Sequence, residues 1–465
     1  MDPLRVAIHV TPLSNMLAYI ARNIFARSCF SFCEKNKQIM KLAILVTALL
    51  SLSHARPLKR GTGTETGIAT GTLPYEGTLP DFTPPPPSPA SQFHFAFDGG
   101  SGVTVSWSSS SEVKDPTVWY SQDGIFWQPS LPGTSTTFPS ATVWDNHVSI
   151  PNLEPLSKYY YKVSGQPDDF DPVGNDFFFT TARPAGNREE YSIAIYGDLG
   201  ANMDDSGADP ISNTMYSLLA SKSAFEFILH NGDMGYADDY YYEPSDLLNP
   251  NIPEETAYND VMTAYYDEST NITRNTPYMV GPGNHEAQCV EYPGFTCPDG
   301  QTNFTGYLNH FRMPTQCQTK GFYQNMWYSY DYGMTHFVQL NTETDFVGAP
   351  DELNGGANLD AGPFAAPGQQ VAWLEADLAS VNREVTPWVV VAGHRPFYSA
   401  SDGSACPSCQ AAFESIFLKY NVDLVWSSHV HYYERDQPMA NGVVDPKGLN
   451  NPSSPWWVTG GGAGK

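Results

Sequence analysis

Residues 225–236 read FEFILHNGDMGY. The apolar run ending at Leu229 gives way to Asn231, Gly232 and Asp233. A short apolar run bounded by turn residues reads as a buried strand that ends in a tight turn. The same grammar recurs on both sides: YSIAIYGDLG at 191–200, PYMVGPGNHE at 277–286, THFVQLNTE at 335–343, WVVVAGHRP at 388–396 and VDLVWSSHVH at 422–431. Helix-like segments around 209–222, 254–268, 367–382 and 410–420 separate these runs. Strands alternating with helices predict an α/β layered domain over 188–465. In such sheets, ligands bind beyond the carboxyl ends of the strands.

Upstream the pattern changes. Between 92 and 183 come FHFAF, GVTVSW, TVWYS, HVSI, KYYYKVSG and DFFFTT, short alternating runs with turn residues between them. No helical periodicity intervenes, so this stretch predicts an all-β sandwich. NLEPLSKYYYKV at 152–163 resembles the tyrosine-corner segment of fibronectin type III domains, with Trp107 as the core tryptophan. Two folded domains suit a chain of 465 residues. Ahead of them, residues 56–91 form a pro-segment and a Pro/Gly/Thr-rich linker that includes TPPPPSP. Residues 40–55, MKLAILVTALLSLSHA, have the basic start, short apolar run and small-residue end of a secretory signal peptide. The protein is therefore expected to be secreted. Met40 is the expected start, residues 1–39 an upstream extension that the translated chain lacks, and Lys59-Arg60 a processing site.

The formal net charge is −26. Residues 1–60 carry nine Lys/Arg against two Asp/Glu, which leaves 15 basic and 48 acidic residues downstream, a charge of −33. Such a surface repels nucleic-acid backbones and anionic membranes, so neither is an expected partner. An enzyme with this surface that acts on anions needs concentrated positive charge at its site, and metal ions are one source. Cys29 and Cys33 lie in the extension; Cys289, Cys297, Cys317, Cys406 and Cys409 remain. Secretion favours disulfides, with Cys406 and Cys409 of ACPSCQ a candidate local pair. Asn271 in NIT and Asn303 in NFT are candidate glycosylation sites.

The strand ends carry a set of chemically similar residues. YGDLG supplies Asp198, NGDMGY supplies Asp233 and Tyr236, and GPGNHE supplies Asn284 and His285. VAGHRP supplies His394, and SSHVHYYER supplies His429 and His431, which share a face if the backbone stays extended. Alone, each is a turn or loop residue. Five such strand ends in succession point to one site. Oxygen and imidazole donors without thiolate suit iron, zinc or manganese. Two such ions roughly 3.5–4 Å apart can clamp both the attacking and the leaving oxygen of a displacement.

The set GDxG, GDxxY, GNHE, GH and HxH resembles the metallophosphoesterase superfamily, and within it the purple acid phosphatases, from about residue 92 to the end. Tyr236 selects that branch, because protein Ser/Thr phosphatases and 5′-nucleotidases lack a tyrosine three residues after the second Asp. The resemblance implies a fibronectin III-like domain followed by a layered α/β/β/α catalytic domain. It implies a ferric ion on Asp198, Asp233, Tyr236 and His431. Asp233 would bridge to a divalent ion (Zn, Fe or Mn) held also by Asn284, His394 and His429. A phenol titrates near ~10, and a ferric ion is suited to hold it as phenolate in acid. His285 would contact the phosphate and protonate the leaving alkoxide. The implied activity is hydrolysis of small phosphate monoesters by attack of a metal-bound hydroxide.

A phosphodiesterase or nucleotide pyrophosphatase on the same core is the enzymatic alternative. A non-catalytic surface binding protein is the other, and the intact ligand set speaks against it. The chain departs from the family in three places. Ser428 stands where glycine usually precedes HxH, so strain is expected there if the backbone needs a positive φ. Plant members carry further histidines a few residues after the motif matching AGHRP, whereas FYSASDGSACPSC here has none, which leaves Arg395, Tyr398 or Asp402 as candidate substrate contacts. Relatives continue past WWVTGGGAGK, so an incomplete C-terminus is expected. YADDYYYE at 236–243 reads as a pocket wall or, slightly better, as a solvated loop.

Overall fold

A computed structural model describes residues 90–201, 213–239, 254–287, 289, 296–314, 325–352, 359, 361–401 and 403–464. All of them belong to one compact unit, Val46–Lys465. The expectations for the signal segment, the linker up to residue 89, Cys317, Asp402 and residues 240–243 lie outside these residues.

Eight strands open the described chain: β1 (Ala90–Asp98), β2 (Gly102–Ser109), β3 (Val118–Ser121), β4 (Gln128–Pro129), β5 (Thr134–Thr136), β6 (Trp144–Ile150), β7 (Lys158–Val163) and β8 (Phe178–Thr180). They form two four-stranded antiparallel sheets, β1-β2-β6-β5 and β4-β3-β7-β8. The period-2 pattern explains the core. Val103, Val105 and Trp107 of β2 pack with Tyr159 and Tyr161 of β7, Phe95 and Phe179. The Tyr159 hydroxyl accepts the Glu154 N–H at 3.1 Å, the upstream bond typical of a tyrosine corner.

The alternate residues of β2 are buried as well. Ser106 and Ser108 bond His147 and Asp145 of β6, and Asp145 takes the His310 Nδ1 of the following domain at 2.9 Å. One sandwich face is thus a polar, hydrogen-bonded interface. Tyr161 Oη donates to the Arg274 carbonyl at 2.8 Å, and Thr273 Oγ1 to the Phe93 carbonyl at 2.7 Å.

Among the described residues the second domain is built on two main sheets and a two-stranded hairpin. The smaller is parallel, in the order β11-β10-β9, from β9 (Ala194–Tyr196), β10 (Ile228–Asn231) and β11 (Tyr278–Gly281). The larger follows the order β12-β13-β14-β15-β19-β16. Its strands are β12 (Tyr328–Tyr332), β13 (Thr335–Gln339), β14 (Trp388–Ala392), β15 (Leu424–Ser427), β16 (Tyr433–Arg435) and β19 (Trp456–Gly460). A hairpin of β17 (Met439–Ala440) and β18 (Val443–Val444) lies between β16 and β19. Strands β13, β14, β15 and β19 are parallel, with antiparallel β12 and β16 at the edges.

Phe227 meets Tyr330, Tyr332 and Phe337, which joins the two sheets through one aromatic core. The described helices are α1 (Asn213–Ala220), α2 (Glu254–Thr273), α3 (Thr305–His310) and α4 (Gln369–Ser380). After them comes a helical run made of α5 (Pro407–Cys409), a π-helical turn (Gln410–Glu414) and α6 (Ser415–Lys419). Leu374 and Leu378 of α4, with Phe413 and Phe417, cover Val389, Val391 and Val425 of the larger sheet. Met215 of α1 and Val261 and Tyr265 of α2 pack into the cluster that holds the smaller sheet. None of these helices is long and apolar enough to cross a membrane. Cys289 pairs with Cys297, and Cys406 with Cys409.

The sheets are sewn together where their parallel strands end. Asn231 Nδ2 donates to the Gly393 carbonyl at 2.9 Å and to Ser428 Oγ at 3.3 Å, and Gly197 N donates to the Gly460 carbonyl at 3.2 Å. Every strand end that the sequence singled out therefore opens into the same place.

Candidate active site

The site begins with two loops that leave β9 and β10 side by side. The N–H groups of Asp198, Leu199 and Gly200 donate to the carbonyls of Gly232, Asp233 and Met234 at 2.7–3.1 Å. This ladder sets Asp198 beside Asp233. Both are buried, and both lie in the left-handed region, with φ 64° and 54°. Tyr236 (φ 53°) and His429 (φ 69°) share that conformation. Non-glycine residues adopt it only where the surrounding structure enforces it.

Two groups of donors result, and they share Asp233. In the first, Tyr236 Oη lies 3.0 Å from Asp198 Oδ1, 3.4 Å from Asp233 Oδ2 and 2.9 Å from His431 Nε2. In the second, His394 Nε2 lies 2.9 Å from Asp233 Oδ2 and 3.2 Å from Asn284 Oδ1. His429 sits beside them, with a donor atom within 4.8 Å of donors from Asp233 and His394. All seven expected ligands are thus brought together.

His285 lies at the edge of this centre. Its N–H donates to Asp233 Oδ1 at 2.9 Å and its ring rests 4.1 Å from that of Tyr236. Its Nε2 is 3.9 Å from Asp233 Oδ2. On the open side, a cavity of about 410 Å³ is lined by Gly403, Ser404, His429, Val430 and His431.

The donor chemistry fits cations. His394 Nδ1 donates to the Asn231 carbonyl at 2.9 Å, so its Nε2 faces two oxygens with a lone pair, and only a proton or a cation can sit between them. Among the described residues His429 Nδ1 is buried without a hydrogen-bond partner, although buried polar atoms are nearly always paired. Burial, then the charges of His394 and Arg395, hold the His429 imidazole down at about 2, in its ligand form.

The two carboxylates split. Burial raises Asp233, but the imidazoles of His394, His285 and His429 outweigh it and hold that carboxyl well below its usual range. For Asp198, burial wins and the group moves up. Burial, then Asp233 and Asp198, push the Tyr236 phenol up. His394 and His285, lowered by burial, are each carried up to about 10 by neighbouring carboxylates, Asp233 first for His394 and Asp238 first for His285.

Several expectations change in detail. Strand β15 stops at Ser427, so His429 and His431 do not sit on extended backbone, and the left-handed turn at His429 sends each ring to a different donor group. Ser428 itself has no positive φ; the turn that was expected to strain it falls one residue later. Its Oγ is accommodated because a Cβ on Gly197 would come within 2.4 Å of it. Tyr398 faces away from the centre, with its hydroxyl on Glu414 and its ring on Trp457. Arg395 does reach it: Nη1 is 3.3 Å from His429 Nε2, while Nε is held by buried Glu343 at 2.6 Å. Asn271 is buried, at 7 % exposure inside α2 with its Nδ2 donating to the Glu268 carbonyl at 2.8 Å, so the folded chain does not present that side chain to a glycan. Asn303 is exposed.

Two groups were not assigned roles from the sequence. Glu286 accepts the N–H groups of Gly283, Asp233 and Met234, each at 2.8 Å, and so ties the loop after β11 to the loop after β10. Burial and Asp233 push its carboxyl up to about 8 against those donors. Its place in GNHE was the available signal. Asp238 and Asp239 belong to the pocket side of YADDYYYE: their oxygens lie 2.8 Å and 3.6 Å from His285 Nδ1.

Known proteins give the same picture. Residues 191–433 match the calcineurin-like phosphoesterase family model, and residues 90–181 match the purple acid phosphatase N-terminal domain. Acid phosphatase A of Cryphonectria parasitica is 36% identical over 414 residues, 80% of each chain. An acid phosphatase of Aspergillus ficuum is 32% identical over 399 residues, 66% of this chain and 62% of its own. The structure of purple acid phosphatase PPD1 from yellow lupin (Lupinus luteus) seeds superposes with a TM-score of 0.59 at 20% identity. That match covers 81% of this chain and 65% of the lupin chain, and shows the fold alone. With the donor geometry and both family models in agreement, the chain belongs to the purple acid phosphatases, phosphate-monoester hydrolases of the calcineurin-like phosphoesterase superfamily that work at a binuclear metal centre.

Proposed function

We propose that this chain is a secreted acid phosphatase that hydrolyses small phosphate monoesters at an Fe(III)–M(II) pair, with M zinc, iron or manganese. The observation that carries this reading is the arrangement of two donor groups around one shared carboxylate, Asp233. Asp198, Tyr236 and His431 with Asp233 would hold the ferric ion; Asn284, His394 and His429 with Asp233 would hold the divalent one. When bound, such a pair supplies Lewis acidity and an acidified water nucleophile. The chain does the rest. His394 gives its Nδ1 proton to the Asn231 carbonyl and keeps Nε2 aimed inward, the outer bond that fixes a ligating imidazole. His285 Nε2 faces the centre from the side of Tyr236, placed to carry a proton to the departing alkoxide.

Finer structural assignments belong to the same reading. The Tyr159–Glu154 bond and the buried Trp107 support a fibronectin III-like sandwich. Helices packed with each sheet support an α/β/β/α order. The signal-like segment 40–55 and two disulfides support secretion, with Asn303 as the glycan site. The acidic surface disfavours nucleic acid and anionic membranes as partners.

The test is metal analysis of the purified protein together with phosphate release from a monoester and a diester. Two ions per chain, iron among them, and faster release from the monoester are expected. Faster turnover of the diester, or no release by the fully loaded protein, would overturn the proposal.

A further inference from the structure

The loops that leave β13 and β14 build a charged group that the metal ligands do not use. Arg395 follows His394, and its N–H donates to Thr342 Oγ1 at 2.9 Å. That hydroxyl donates in turn to Glu343 Oε1 at 3.0 Å, and Glu343 Oε2 takes the Arg395 Nε at 2.6 Å. The loop after β13 folds back, with the Asp351 N–H on the Glu343 carbonyl at 2.8 Å. This sets Asp351 Oδ1 3.6 Å from Arg395 Nη2. Glu343 and Asp351 are both fully buried. Burial, then the Glu343 carboxylate, push the Asp351 carboxyl up to about 9, so the guanidinium is not neutralised twice over.

Two guanidinium nitrogens thus face buried acids, and the third faces the centre. Nη1 lies 3.3 Å from His429 Nε2. The other ring nitrogen, Nδ1, is buried without a hydrogen-bond partner among the described residues, which makes it the atom suited to the divalent ion. A neutral imidazole that ligates through Nδ1 carries its proton on Nε2, and a guanidinium has donors only. Nη1 and Nε2 are then two neighbouring N–H donors that cannot bond each other. One acceptor oxygen seated against both satisfies both. His429 also lines the open cavity, so a substrate reaches this point from solvent.

We propose that Arg395, with the His429 Nε2–H beside it, binds a non-bridging phosphate oxygen and thereby selects monoesters over diesters. A fully ionised monoester presents one more free oxygen and one more negative charge than a diester, in which that oxygen is esterified. A guanidinium oriented by Glu343 donates to the free oxygen and loses that bond when the oxygen is alkylated. The proposal rests on the reading of this chain as a monoesterase with a divalent ion on His429.

Two variants test it. Arg395→Lys keeps a charge beside Glu343 and removes the planar fork. Arg395→Gln combined with Glu343→Gln removes both charges, so no buried carboxylate is left unpaired. The double variant is expected to keep both metals and to lose about 10–100-fold in kcat/KM for p-nitrophenyl phosphate. With bis(p-nitrophenyl) phosphate, which has the same leaving group, it should stay within a few-fold of wild type. Calorimetric titration with inorganic phosphate should show binding weakened by a factor similar to the monoester loss, and Arg395→Lys should fall between the two proteins. If the wild type turns over the diester faster, the monoesterase reading itself fails. If the wild type prefers the monoester and the variants lose both esters equally, or hold inorganic phosphate as tightly as wild type, the selecting role fails while the phosphatase stands. Loss of the divalent ion from either variant also overturns that role, because Arg395 would then act by holding His429.

Discussion

A phenol among acids and imidazoles is the most informative single group in the centre. Tyr236 Oη touches Asp198, Asp233 and His431, and burial, then the neighbouring carboxylates, push the phenol up. A bound cation reverses that order. If the cation is ferric, phenolate-to-metal charge transfer colours the protein, and Tyr236→Phe is expected to lose the visible band while the remaining ligands retain part of the metal. Absorbance spectra with parallel metal analysis check this. A colourless wild type that carries two zinc ions would contradict the ferric assignment and leave the phosphatase intact. The residue scale is also where the sequence was most legible: Asp, Asn, His and Tyr offer oxygen and imidazole donors, and they recur at strand ends. It did not reveal that Asp198, Asp233, Tyr236 and His429 are all left-handed. Those backbone angles come from loops that brace each other across the sheets, a contact that no local pattern encodes.

Among elements, β12, β13 and α4 are joined through one buried imidazole. His336 on β13 bonds Asp331 of β12 at 2.7 Å and Asp377 of α4 at 2.9 Å. Burial alone would lower His336, but the two carboxylates carry it up to about 9. The folded value therefore lies above the unfolded one, near 6.5. The stabilisation is fully present below about pH 6.5 and is lost as pH rises through about 9. Its size is about 2 kcal/mol, allowing for the partial exposure of Asp331. Urea midpoints at pH 6 and pH 10 should differ accordingly, and His336→Gln should flatten that part of the profile. An unchanged slope in the variant would count against the assignment. The strands and helices around this site were readable because their periodicities are strong. The short α3, the β17–β18 hairpin and the path of β19 were not, because tertiary contacts select them. GGGAGK also reads locally as a turn, although β19 ends at its first glycine.

At the scale of the molecule, an acidic chain surrounds a centre that gathers carboxylates. Asp198 and Asp233 are buried side by side, and the net charge is −26. Two cations offset that local repulsion and bind only the folded state, so they add to stability by mass action, by about 4 kcal/mol for a ligand at a thousandfold excess over its Kd. Chelation is therefore expected to lower Tm by several degrees, and re-addition of iron and zinc to restore it. Calorimetry with and without chelator checks this; an unchanged Tm with metal demonstrably removed would rule it out. The sandwich was legible as a separate layer of short strands. Its intimacy with the catalytic domain was not, because the serines on alternate positions of β2 resemble a solvent face, yet Ser106 meets His147, and Ser108 meets Asp145 and through it His310.

Glu286 links these scales. Its one carboxylate spans the N–H groups of Gly283, Asp233 and Met234, so the segment carrying Asp233 and the segment carrying Asn284 and His285 are tied to each other. The two proposed ion sites consequently share a single mechanical chassis. Exchanging one ion for another of different radius will be felt at its neighbour, and grafting this centre onto a new scaffold will succeed only if the glutamate and both turns it straps together travel with the ligands.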